Sequence, residues 1–123
     1  VLWRAVVERT DDFLIGYHSW FDARPVTFVS IPKCHDLIDS VRTTRAVAKL
    51  VWFTQNWFVC EKTDGAIRFH DLRFGRAGLY DGSWIFSWRI IHEDGETRFV
   101  QSDRLGRITG DHVTELWRRV NGN

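Results

Sequence analysis

Apolar positions along the chain shift between the period of a strand and that of a helix, and each shift marks a new element. Residues 2–9, LWRAVVER, are rich in branched and aromatic side chains, and the polar triplet TDD separates them from FLIGYHSW at 13–20, which predicts a β-hairpin. VTFVSI at 26–31 is a third strand, punctuated by Pro25 and Pro32. Past Pro32 the period lengthens. Leu37, Ile38 and Val41 predict a short helix, and a longer one follows from Thr43. There Val47, Leu50, Val51 and Thr54 fall at i, i+3, i+4 and i+7, Arg45 and Lys49 take the other side, and Thr43 or Thr44 serves as the cap.

Two hairpins of one type come next. WFVCEKT and AIRFHDL are joined by Asp64-Gly65, and WIFSWRIIHE and ETRFV by Asp94-Gly95, the dipeptide that supplies positive φ in two-residue loops. A loop that short fixes register: Glu61 faces Arg68, Cys60 faces Phe69, Val59 faces His70 and Phe58 faces Asp71. Glu61 and Arg68 are expected to pair on the outer face. The chain closes with GDHVTELWRRV, where Asp111 caps a helix with Val113, Leu116, Trp117 and Val120 on one side. The expected fold is α+β: an antiparallel sheet built from hairpins, with a central helix and a C-terminal helix packed on one face.

Chemistry concentrates in FHDLRFG at 69–75. Ile67, Phe69 and Asp71 alternate onto one strand face while Arg68 and His70 take the other, so a carboxylate ends an apolar row and needs a partner. Arg73, two residues on, or Arg89 in FSWRI on the next hairpin is able to bind it bidentately. Either Asp71 and Arg73 brace the corner that Gly75 turns, or they line a cleft for a polar ligand, and local evidence favours the brace. The candidate site is Asp71 and Arg73, with His70 and Arg89 behind them. Its carboxylate would work beyond the ligand shell of a metal or handle protons, and its guanidinium would clamp an anion.

Other chemistry is sparse. The five histidines are scattered, Cys34 and Cys60 have no metal-ligand spacing, and the Cys, His and Asp of KCHD are adjacent residues that one metal does not easily use together, so no metal site is assigned within the chain. GxSxG, P-loop and GxGxxG patterns are missing. A net charge of +1, from 17 basic and 16 acidic residues, gives no strong field to draw the chain to nucleic acid or to an anionic membrane surface, and argues against both as partners. The longest apolar run, AVAKLVWF, is broken by Lys49 and is too short to cross a membrane. Length suits one domain spanning residues 1–123. Met is absent and the chain begins in mid-pattern, so it reads as the soluble piece of something longer. Seven Trp and nine Phe are a heavy load for such a core, and some of these rings are expected on an exposed contact surface.

Taken in order, LWRAVV, GYHSWFD, LVWFTQNWFVCEKTDGAIRFHDLRFG and WIFSWRI resemble the C-terminal part of a family of bacterial inner-membrane proteins described as membrane-bound metal-dependent hydrolases, LexA-regulated in their expression. The sharpest element is the DLR-x-G block, here Asp71, Leu72, Arg73 and Gly75, and Arg89 matches the arginine after the aromatic strand. The resemblance implies an N-terminal set of transmembrane helices that carries the metal ligands, followed by a soluble domain like this one. It also implies a place at the inner membrane for the whole protein, a divalent metal there but no cofactor in this chain, and the transmembrane part as partner. On that reading the chain is accessory or regulatory and not active by itself. The alternative is a non-catalytic interaction module that docks on a membrane surface or a protein through exposed aromatics, and an aromatic edge strand would also suit a homo-oligomer.

Overall fold

The computed structural model describes residues 1–76, 79, 84–102 and 110–122. They form an α+β fold of antiparallel strands and two α-helices, gathered into two compact units. None of the described helices is long and apolar enough to cross a membrane.

One unit is built on a three-stranded sheet of β1 (Leu2–Glu8), β2 (Asp12–Ser19) and β3 (Phe28–Pro32), in that order. The polar turn after β1 is closed by Arg9, whose backbone N–H donates to Asp12 O and whose Nε donates to Asp12 Oδ1 at 2.7 Å. Phe13, Ile15 and Tyr17 alternate along β2 and are buried, which is what the period of two requires of a central strand. Pro32 ends β3, an edge strand that tolerates a residue without an N–H. The C-terminal helix α2 (Gly110–Val120) belongs to this unit, with Asp111 in its first turn.

The other unit carries a four-stranded sheet in the order β4 (Phe58–Thr63), β5 (Ala66–Asp71), β6 (Ser87–Glu93) and β7 (Glu96–Gln101). Both predicted turns hold: Asp64 and Gly65 have φ of 54° and 74°, Asp94 and Gly95 of 52° and 77°. The β4–β5 register is the one read from the sequence, Phe58 with Asp71 through Glu61 with Arg68. One sheet face carries Phe58, Cys60, Phe69, Trp88 and Ile90. Helix α1 (Arg45–Thr54) lays Val47 and Leu50 onto it, and Ile38, from a 3-10 turn over His35–Ile38, completes the core with Val41. Rings order this core. His35 stacks on Phe58 at 3.9 Å between centroids, Phe58 on Phe69 at 4.2 Å, and Trp88 meets Phe69 edge-on at 6.1 Å. Thr44 is the N-cap of α1, but its hydroxyl donates back to Val41 O instead of capping a helix N–H.

Two expectations need correcting. The strands divide between two sheets, and α2 belongs with the three-stranded one. Nor does α2 bury its apolar stripe: Val113, Leu116 and Trp117 are exposed, and the helix is held from its other end by Arg119 and Val120. A period of 3.6 reveals which residues share a face and not whether anything covers it.

Candidate functional site

Strand β5 ends in Asp71, which is fully buried on the core side of the sheet. Its backbone N–H donates to Phe86 O at 3.0 Å and that of Leu72 to Trp57 O at 2.9 Å, so the corner is stitched on both sides. Three donors from Arg73 converge on the carboxylate. The backbone N–H reaches Oδ1 at 3.0 Å, Nε reaches Oδ1 at 3.1 Å and Nη2 reaches Oδ2 at 2.8 Å. The hydrogen bond to Asp71 holds the Arg73 guanidinium above its ordinary pKa. That guanidinium lies over Phe53 at 5.1 Å and Phe74 at 5.4 Å, and about a third of the side chain remains exposed. A buried acid bound bidentately by its neighbour two residues on has the geometry of a brace.

Arg89 is not part of it. It faces Arg68 across β5 and β6 and is exposed on the opposite side of the sheet. His70 is also on that side, buried under Trp84, whose ring stacks on the imidazole at 5.1 Å. The four predicted residues therefore divide, Asp71 and Arg73 on one face and His70 and Arg89 on the other.

His70 draws in two residues that the sequence reading did not select. Glu61 Oε1 lies 2.7 Å from Nε2, and Ser87 Oγ lies 2.7 Å from Nδ1. A carboxylate only accepts, so in the neutral ring Nε2 carries the hydrogen and Nδ1 accepts from the Ser87 hydroxyl. Glu61 was expected to pair with Arg68. It reaches diagonally to His70 instead, while Arg68 extends toward Ser102 Oγ at 3.4 Å. Ser87, His70 and Glu61 have the order of nucleophile, base and orienting acid. Ser87, however, is only 5% exposed, and Trp84 covers one side of the ring. The set is a polar network, buried at Ser87 and His70 and open to solvent at Glu61, in which each group answers another.

These residues do not fit a divalent metal. The Asp71 oxygens are engaged by Arg73, both nitrogens of His70 by Glu61 and Ser87, and the two side chains leave β5 in opposite directions. Among the described residues, no three or more His, Cys, Asp or Glu are grouped to hold one. Burial, then the neighbouring Cys34 thiol, push Cys60 up to about 12, away from the thiolate form a nucleophile uses.

The outward side of α1 is different. Between Asp39 and Glu61 the chain has no acidic residue, while Arg42, Arg45 and Lys49 supply three cations. Arg45, Lys49 and Trp52 follow one another at helical spacing along the stripe opposite Val47 and Leu50, and all three are exposed. Trp52 is 76% exposed, and Phe53 and Phe74 about half. A groove of about 490 Å³ opens beside them, lined by Arg42, Val51, Trp52, Phe53, Gln55 and Asn56.

No family model, curated protein or solved structure matches the chain.

Proposed function

We propose that the chain is an extramembrane accessory domain of a membrane-bound metal-dependent hydrolase, and that its own work is to dock on the anionic membrane surface through the outward side of α1. The observation that carries this reading is the coincidence of an acid-free, basic segment with exposed indole and phenyl rings on one helix face. Aromatic rings sit well at the boundary between headgroup and acyl chain, and arginine and lysine beside them meet the phosphates. Each basic residue close to an anionic leaflet contributes about 1 kcal/mol. Arg42, Arg45 and Lys49 together thus supply about 3 kcal/mol, roughly a hundredfold in partitioning. Arg73 adds little, because Asp71 already answers its charge.

Support also comes from what the Asp71 and Arg73 pair does in the fold. Both oxygens of the Asp71 carboxylate are engaged by Arg73, and the guanidinium lies over Phe53 and Phe74 at the edge of this face.

Vesicle flotation tests the reading. The chain should float with vesicles containing phosphatidylglycerol and not with pure phosphatidylcholine, and the double variant W52S/F53S should lose at least about tenfold in affinity. Equal flotation of the variant and the wild type would exclude α1 as the docking face.

A further inference from the structure

The groove at the C-terminal end of α1 has features that a merely basic, aromatic surface does not need. Among the described residues Arg42, which lines it, makes no ion pair within 4 Å, although the guanidinium is permanently charged. Gln55 and Asn56 stand consecutively at its rim with φ of 53° and 65°. They close the helix, the N–H of Gln55 donating to Trp52 O at 3.1 Å and that of Asn56 to Val51 O at 3.3 Å. Glycine takes this left-handed conformation without steric cost and is the usual residue at such a helix end. Two residues with amide side chains in its place set two groups, each both donor and acceptor, side by side next to an unanswered cation. Both side chains are exposed, and neither makes a hydrogen bond to a described residue.

We propose that this groove seats one phosphodiester headgroup bearing hydroxyl groups, the chemistry of phosphatidylglycerol, drawn from the bilayer on which the face docks. The inference rests on the docking reading above and adds selectivity to it. Arg42 matches the phosphodiester oxygens, whose single negative charge meets no acid anywhere in residues 40–60. The Gln55 and Asn56 amides accept from and donate to the headgroup hydroxyls. Trp52 and Phe53 flank the start of the acyl chains. The groove's volume of about 490 Å³ is ample for one headgroup. Phosphatidylserine, of equal net charge, offers no hydroxyl to the amides and sets a carboxylate and an ammonium in their place.

The test compares vesicles of phosphatidylglycerol and of phosphatidylserine, each diluted in phosphatidylcholine to the same surface charge. The wild-type chain should bind the first about tenfold more tightly, the worth of one or two hydrogen bonds in a charged site. Q55G/N56G should bind both alike, at the strength the wild type shows for phosphatidylserine. Its unfolding midpoint should be unchanged or higher, since glycine relieves both positive φ angles. Soluble glycerol phosphate, which lacks acyl chains, should not compete at concentrations comparable to the lipid. Equal binding of the wild type to both vesicles, a preference that survives in Q55G/N56G, or efficient competition by glycerol phosphate would each overturn the headgroup site while leaving docking intact. Failure to bind either vesicle would overturn both.

Discussion

A buried carboxylate persists only where its charge is answered, and among the described residues the side-chain oxygens of Asp71 are answered by Arg73. The two partners are unequal. Asp71 is fully buried, while about a third of the Arg73 side chain is exposed. Removing the cation strands a charge in the interior, whereas neutralising the acid leaves a cation that water and two rings still solvate. Arg73→Gln should therefore cost about 3–5 kcal/mol in denaturant unfolding, and Asp71→Asn less, about 2 kcal/mol. The reverse order, or no loss in either, would mean that the pair is held for a ligand and not for the fold. The position of Asp71 at the end of an apolar row, with a partner two residues away, was legible in the sequence because strand parity depends only on counting. The partner of Glu61 was not. Directly opposite and diagonal neighbours compete for a carboxylate, and the choice of His70 depends on Ser87, whose place across β5 is set by the long excursion between β5 and β6 and not by a tight turn.

Among elements, the hairpins and α1 followed from local rules, since a two-residue turn dictates register and a helical stripe shows its own buried side. What local rules leave open is which elements meet. Helix α2 illustrates this, because an ionic clasp near its C-terminal end, with Ser19 Oγ donating to Val120 O beside it, holds it where an apolar stripe was expected to. Arg119 donates from Nη1 and Nη2 to Asp22 Oδ1 and Oδ2 at 2.6 and 2.7 Å, and it also reaches Tyr17 O. The hydrogen bond from Arg119, and next that from the Ser19 N–H, lower Asp22 from its ordinary 3.8 to about 2. A carboxylate depressed in the folded state stabilises it fully above its unfolded pKa and ceases to do so as pH falls through the folded one. The stability difference between the wild type and Asp22→Asn should be complete above pH 3.8 and should vanish as pH falls to about 2. Thermal unfolding across that window checks it, and a difference independent of pH would contradict the clasp.

For the molecule as a whole, the near balance of 17 basic and 16 acidic residues conceals a local imbalance. All 16 acids lie outside residues 40–60, and Arg45 and Lys49 inside that segment share a helix face with two exposed rings. Composition averages such a face away; the helical period already sets Arg45 and Lys49 opposite Val47 and Leu50, and the placement of α1 on the sheet shows that Trp52 points out with them. Surface attraction of this kind weakens as salt shortens the Debye length, while ring insertion does not. The most direct test is amide hydrogen exchange of the chain, free and bound to phosphatidylglycerol vesicles. Docking through α1 predicts slower exchange confined to residues 45–56 and the neighbouring Phe74 corner, with the β1–β2 hairpin unchanged. Protection centred elsewhere, or none at all on bound protein, would contradict the account.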